Sequence, residues 1–273
     1  MRIADSAILF DETYIESFKK ELTKYSKIIG KEILYFKSLD STNTLAIKLA
    51  EKGQKEGTVI IADEQLFGRG RFQRNWISPG GRNLYISVIL KPELSFNKAP
   101  FLTMMTALSC VFTIRRLTPL NVSIKWPNDI VLNEKKLGGI LIETRSDKGK
   151  VNQAILGIGI NVNFKKTEMP EEIRTTATSM MEETGSIYSR SQLILELLKD
   201  LDIWCEILLN KDFEKIKKEW LNLTSTIGRF IRVKSGNNIY AAKAIGIDEE
   251  GMLLLNTGDS VKKISSGHVT VLK

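Results

Sequence analysis

The stretch from Thr58 to Leu90, TVIIADEQLFGRGRFQRNWISPGGRNLYISVIL, sets two short apolar runs on either side of a long basic segment. TVIIA (58–62) and NLYISVIL (83–90) are rich in β-branched and aromatic residues, and each reads as a strand. Between them, QLFGRGRFQRNW (65–76) carries Arg69, Arg71 and Arg74 with no acidic residue, and the acid-free run continues to Lys91, adding Arg82. Gly68 and Gly70 alternate with the first two arginines and allow close backbone approach to a ligand. Guanidinium forks match phosphate oxygens. The segment is therefore expected to be a mobile, anion-gripping loop between two strands, although a solvated basic turn has the same composition. It matches neither standard phosphate motif: the chain has no GxxxxGK[ST], and GRGRFQ lacks the third glycine of a dinucleotide turn. A nucleotide bound here needs another architecture.

Outward from this stretch, residues 12–29 place Tyr14, Ile15, Phe18, Leu22, Tyr25 and Ile29 at helical spacing, with Gly30 as the stop. Residues 33–36 read as a strand, and Ser41 or Thr42 caps a helix through residues 44–50. Residues 99–117 predict a buried amphipathic helix with Met104, Met105, Leu108, Phe112 and Ile114 in the core. Residues 123–132 read as a strand turning at Asn133-Glu134-Lys135 into a second over 137–144, and residues 151–162 as a long glycine-containing strand. Helices follow over 192–209 and 213–223. From Gly228 five short strand-like runs are separated by Gly, Asn, Asp and Ser, the texture of a small barrel or sandwich. The expected fold class is α+β, a mixed or antiparallel sheet packed with helices plus a small C-terminal β barrel. The expected division is a helical leader over 1–30, a catalytic domain over 31–224 and the barrel over 225–273.

Composition narrows the chemistry. The 273 residues include 40 basic and 32 acidic side chains, a net charge of +8 that suits a polyanionic partner or simply a soluble surface. His268 is the only histidine, so histidine-built zinc sites and a Ser–His–Asp triad in mid-chain lack support. Cys110 and Cys205 stand far apart in apolar helical patterns and are expected to be buried reduced thiols. With no secretory signal and no membrane-length apolar run, the expected location is cytoplasmic.

Several motifs now fall in order: Asp40-Ser41-Thr42-Asn43; Gln65 ahead of Gly68-Arg69-Gly70-Arg71, with Trp76 after; Lys125-Trp126-Pro127-Asn128-Asp129; Lys136-Leu137-Gly138-Gly139-Ile140-Leu141; Gly157-Ile158-Gly159-Ile160-Asn161-Val162-Asn163; and Ala177-Thr178-Ser179. The series resembles the biotin–protein ligases (biotin–acetyl-CoA-carboxylase ligases), strongly over residues 33–180 and weakly at the C-terminus. The resemblance implies a catalytic domain like that of class II aminoacyl-tRNA synthetases and an SH3-like barrel. It also implies ATP-dependent activation of biotin to biotinyl-5′-AMP with Mg²⁺, followed by transfer to one lysine of a biotin carboxyl carrier protein.

Residue by residue, the resemblance puts biotin contacts on Ser41, Thr42, Asn43 and Gln65, with Arg69, Gly70 and Arg71 as the covering loop. Ser41 and Thr42 can cap the helix as well as touch a ligand. Arg69 and Arg71 would close over the adenylate and exclude water. Lys136 is the expected principal catalytic residue, assisted by Arg71, because carboxylate attack on a phosphate needs fixed positive charge, and it would also touch the biotin carboxyl. Trp76, Lys125, Asn128 and Asn161 are expected near the nucleotide; Trp76 also reads as a core residue and Lys125 as a surface one. Asp129 could orient Mg²⁺ or hydrogen-bond its own turn. The glycines of 138–139, 157 and 159 are expected to permit close packing or ligand approach.

Two departures limit the transfer. Fewer residues precede the catalytic region than a winged helix-turn-helix needs, so neither repressor function nor a nucleic-acid partner is expected. Gly267-His268-Val269-Thr270 puts histidine where the family often has an acid, so the barrel is left without an assigned ATP contact. The rival readings are a lipoate or octanoate ligase of the same fold and, from another class, a basic nucleic-acid-binding protein. The former's histidine-containing signatures are missing, and the latter would need more aromatic platforms beside the basic loop. A monomer and a homodimer fit equally.

Overall fold

The computed structural model describes residue 18, residues 20–22 and residues 24–272. Its frame is one mixed sheet of β1 (Glu32–Leu39), β2 (Thr58–Gln65), β3 (Leu84–Leu90), β4 (Leu94–Ser95), β5 (Ser123–Lys125), β6 (Asp129–Leu132), β7 (Lys135–Asp147) and β8 (Lys150–Ile160). The strands lie in the order β1-β2-β3-β8-β7-β6-β5, with β4 beside β8. Only β1 and β2 pair in parallel within this sheet, and helix α1 (Thr42–Glu51) makes the crossover that such a pair requires. The remaining pairs are antiparallel.

The side-chain period of two gives the sheet two different faces. Val59 and Ile61 of β2, Ile86 and Val88 of β3 and Leu156 of β8 point to the main core, shared with α2 (Pro100–Leu117) and, later in the chain, α5 (Arg190–Leu209) and α6 (Phe213–Leu223). The alternate residues Ile60, Ile89 and Ile155 meet Ala46 and Ala50 of α1 on the opposite face. Two short helices, α3 (Glu171–Arg174) and α4 (Met180–Thr184), lie between β8 and α5 in sequence. Helix α2 is buried on nearly every side, Met104, Met105, Leu108 and Ile114 included, while Phe112 is partly covered and stacks on Trp204 of α5 at 5.7 Å. Cys110 and Cys205 are free thiols inside this core, and burial pushes both well above the usual thiol range.

Two sequence expectations need correction. The leader helix over 12–29 falls partly outside the described residues; residues 18 and 20–22 are helical, but residues 24–29 form turns and bends. The cause is Asp202 of α5, whose buried carboxylate accepts from the N–H groups of Lys27 (2.8 Å), Ile28 (2.8 Å) and Ile29 (2.7 Å), donors that a continuing helix would send to its own carbonyls. The expected strand over 123–132 is in fact two paired strands. Residues 126–128 turn between β5 and β6, through a cis Trp126–Pro127 bond, so Lys125 lies opposite Asp129. The next connection is a tight hairpin with Asn133 (φ 49°) and Glu134 (φ 66°) in the left-handed region.

The C-terminal runs form a second, antiparallel sheet in the order β12-β11-β10-β9-β13: β9 (Phe230–Ser235), β10 (Asn238–Ile247), β11 (Leu253–Asn256), β12 (Val261–Ile264) and β13 (His268–Val271). Ile231, Val233, Leu253, Leu255 and Val269 are buried in it. It docks on the larger sheet through the Trp126 N–H, which donates to Thr226 Oγ1 at 2.9 Å, and through Gly251, which meets Pro100 and Met104 of α2.

Candidate active site

The face of the sheet that carries α1 also carries a floor without side chains. Across β7 and β8, Gly139 lies opposite Gly159 and Leu141 opposite Gly157. A Cβ on Gly159 would sit 2.6 Å from the Trp76 ring, and one on Gly139 would be 3.2 Å from the same ring and 3.1 Å from Lys136 Cε. One on Gly157 would run into the Asn43 amide. These three positions are glycine because Asn43, Trp76 and Lys136 lie directly on the strands. The close approach expected from the glycine-rich motifs is thus made by the protein's own side chains.

At one end of this floor the N-terminus of α1 meets β2 and β3. Ser41 is the helix N-cap, with Oγ 3.5 Å from the Thr44 N–H, so its capping geometry is long. Gln65 Oε1 accepts from the Thr42 N–H (2.8 Å) and hydroxyl (3.1 Å). Its Nε2 donates to Ser78 Oγ at 3.0 Å, and Ser78 donates to Trp76 O at 2.8 Å. Ser87 Oγ lies 2.7 Å from Thr42 Oγ1 and 2.5 Å from Asn43 Oδ1. Thr42, Asn43 and Gln65 thus form one polar cluster through Ser87, with Ser41 beside it as the cap of α1. Ser87, absent from the expected site residues, stands at its base; its signal is a single small polar residue in the middle of the apolar run LYISVIL.

The basic segment folds back on itself above the floor. The Trp76 N–H donates to Gly68 O (2.9 Å) and the Gly70 N–H to Arg74 O (2.7 Å), while Phe72 (φ 57°) and Gln73 (φ 59°) make the left-handed tip. The arginines then diverge. Arg69 grips Glu143 of β7 with both ends of its fork, Nη2 to Oε1 at 2.7 Å and Nη1 to Oε2 at 3.2 Å. Arg71 Nη1 donates to Asn128 Oδ1 at 2.9 Å, and Asn128 Nδ2 donates to Ile140 O at 2.7 Å. Burial lowers the Arg71 pKa and Asp129 opposes that, but a guanidinium stays charged in either case. Arg74 is exposed.

Lys136, at the start of β7, closes the arrangement. Its Nζ lies 2.7 Å from Asp129 Oδ1 and 5.4 Å from the centre of the Trp76 ring, a cation–π contact. Lys135 instead lies 3.7 Å from Glu183, half exposed. Trp76 Nε1 is buried and has no hydrogen-bond partner among the described residues. The expected site residues therefore form two contacting groups, Arg71 with Asn128 and Asp129 with Lys136 and Trp76, which meet where Asn128 precedes Asp129 in the chain. Asn161, two residues after Gly159, uses its amide within the chain: its Nδ2 donates to Thr178 O at 2.9 Å and its carbonyl accepts from the Met180 N–H at 3.1 Å, which makes it a brace between β8 and α4. Lys125 sits half buried at the end of β5, opposite Asp129.

One residue of the second sheet lies within range of the site's charges. The His268 pKa is lowered, first by burial and then by Arg74, Lys125 and Lys136, with Asp129 pulling the other way. The first residue of β13 therefore lies within the electrostatic reach of Arg74 in the loop, Lys125 of β5, Asp129 of β6 and Lys136 of β7. Glu143 was likewise missed; its signal was period two from Gly139 along β7, which put it on the site face.

Comparison with known proteins follows this geometry. Residues 35–161 match the biotin/lipoate A/B protein ligase family and residues 226–272 the biotin protein ligase C terminal domain. The chain is 36% identical over 244 residues to the bifunctional ligase/repressor BirA of Bacillus subtilis, covering 89% of this chain and 75% of that protein. It is 32% identical over 225 residues to the biotin–[acetyl-CoA-carboxylase] ligase of Paracoccus denitrificans, covering 79% of this chain and 90% of that one. The biotin protein ligase from Aquifex aeolicus, solved in complex with biotin and ATP, superposes with a TM-score of 0.77 at 33% identity over 89% of this chain and 99% of that chain. With both sheets matched in sequence and the whole architecture shared, this chain belongs to the biotin protein ligase family.

Proposed function

We propose that this chain activates biotin with ATP and passes it to a lysine of a carboxyl carrier domain of acetyl-CoA carboxylase. The observation that carries the reading is the convergence of Lys136 and the Trp76 ring on a glycine floor against which Asn43 also packs, with Arg71 held on Asn128 next to Asp129. The match to a biotin protein ligase C-terminal domain favours biotin over lipoate. The biotin and ATP held by the Aquifex relative support the same pair of ligands here.

In the first step a biotin carboxylate oxygen bonds to the α-phosphorus of ATP while the bond to the bridging oxygen breaks, and its electron pair leaves with pyrophosphate. Two anions must meet, so fixed cations dominate the catalysis. Lys136, drawn from Asp129 toward the incoming oxygens, and Arg71 would neutralise that charge. Ser41, Thr42, Asn43 and Gln65 offer the few aimed polar groups that a compact ureido ring requires. Trp76, with Lys125 and Asn128 nearby, would face the nucleotide, and Arg69 and Gly70 would cover the mixed anhydride against water.

In the second step a carrier lysine amine attacks the acyl carbon, AMP leaves, and the surplus proton passes to solvent. An already activated acyl group needs no enzyme nucleophile, which suits a site holding neither cysteine nor histidine triad. Magnesium fits only as a passenger of ATP. Among the described residues no three His, Cys, Asp or Glu side chains cluster, and Asp129 offers a single carboxylate already paired with Lys136. Such a donor suits an ion whose other ligands are phosphate oxygens and water, and it would supply charge neutralisation on the phosphates.

The test is to incubate the purified chain with biotin, ATP, Mg²⁺ and a carboxyl-carrier fragment and weigh the fragment. One biotinyl addition at a single lysine is expected. An unmodified fragment alongside a biotinylated control reaction overturns the proposal.

A further inference from the structure

We propose that Glu143 is a positioning residue that couples ligand contact at Asn43 to closure of the Arg69 loop; this rests on the biotin reading above. Its single carboxylate serves two groups at once. Asn43 Nδ2 donates to Glu143 Oε2 at 2.9 Å, and Arg69 holds Oε1 and Oε2 at 2.7 and 3.2 Å from the other side. Asn43 and Arg69 come from different elements, one from the buried N-terminus of α1 and the other from the exposed loop between β2 and β3.

The geometry gives the link a direction. Asn43 is almost fully buried and its amide is held at every atom. Ser87 Oγ is at Oδ1, Glu143 and Leu141 O share Nδ2, and Gly157 lies beneath. It cannot turn toward a ligand without releasing or pulling Glu143. Glu143 cannot move without shifting the Arg69 fork, because a bidentate pair fixes both distance and plane. The Arg69–Glu143 pair is itself partly exposed, 43% and 25% by side chain, so it adds little to stability. A contact that is weak energetically but strict in geometry suits a latch, which must open cheaply and close in one place. Register places it: Glu143 lies opposite Ile155 on β8, and Leu141, two residues before it, lies opposite Gly157, so the Glu143 side chain shares the glycine-floor face.

The experiment is a cycle of variants read by calorimetry and by biotin dissociation rate on the full chain. Asn43→Ser, Arg69→Gln and the pair are measured with Glu143 present and again in Glu143→Gln, which keeps the volume but removes the charge and one of the two acceptor oxygens, so the two-pronged Arg69 grip is lost. With Glu143 present, the two changes should depart from independence in biotin affinity by at least about threefold. In Glu143→Gln they should combine independently. Glu143→Gln alone should speed biotin release about fivefold to tenfold and leave ATP affinity in the absence of biotin unchanged, a pattern that general loosening of the fold does not produce. Independent effects with Glu143 present, or coupling that survives in Glu143→Gln, overturn the inference while leaving the ligase reading intact. A parent chain that binds no biotin overturns both.

Discussion

Lys136 Nζ lies 2.7 Å from Asp129 Oδ1 across the β6–β7 hairpin, with the Trp76 ring packed beside it. A β-bulge between Ile130 and Val131 sets the register that places the Lys136 ammonium on the Asp129 carboxylate. The pair is partly exposed, so its attraction is modest and a phosphate can compete for the ammonium.

Lys136→Ala removes this fixed charge. Single-turnover formation of biotinyl-5′-AMP should fall about 100-fold to 1,000-fold, the scale of losing one preorganised donor. Thermal stability should change little. A rate within threefold of the parent would count against Lys136 as the principal charge.

Gly159→Ala puts a methyl where the Trp76 ring already lies, 2.6 Å away. Overpacking of this kind costs about 1–3 kcal/mol, which shifts Tm by roughly 2–4 °C per kcal/mol at this size. Adding Trp76→Leu to the same chain should recover part of the loss, a non-additivity that differential scanning calorimetry resolves. Full additivity would mean that the two residues do not share the space.

His268 provides a pH test. Burial and the cations Arg74, Lys125 and Lys136 lower its folded pKa below the usual 6.5, with Asp129 opposing. Above 6.5 it is neutral in both folded and unfolded chains and contributes nothing. As pH falls through 6.5 the unfolded chain takes up a proton that the folded one resists, so stability declines until the folded value is passed. His268→Gln should therefore lose less stability than the parent between pH 7.5 and pH 5.5 in urea titrations. Equal losses would place His268 away from the cations.

Much of this fold is legible in the chain itself. The five barrel strands follow from short apolar runs between turn residues, and α2 and α6 from their periodicity. Residues set by distant partners are not legible. The turns over 24–29 depend on the Asp202 carboxylate, about 170 residues away in sequence. Residues 126–128 read as strand because Trp126 is apolar; its N–H, however, goes to Thr226 rather than to a neighbouring strand. In the site, residue types and order identify Ser41, Thr42, Asn43, Gln65, Arg71 and Lys136 as candidates. The pairing of Lys136 with Asp129, and of Arg69 with Glu143, depends on strand register and is visible only in three dimensions.

The most direct measurement of the central claim is biotin-dependent exchange of labelled pyrophosphate into ATP, which reports adenylate formation without any carrier. The account predicts rapid exchange that requires biotin and collapses in Lys136→Ala. Exchange that proceeds equally without biotin, or none in the parent chain under conditions where both ligands bind, would contradict it.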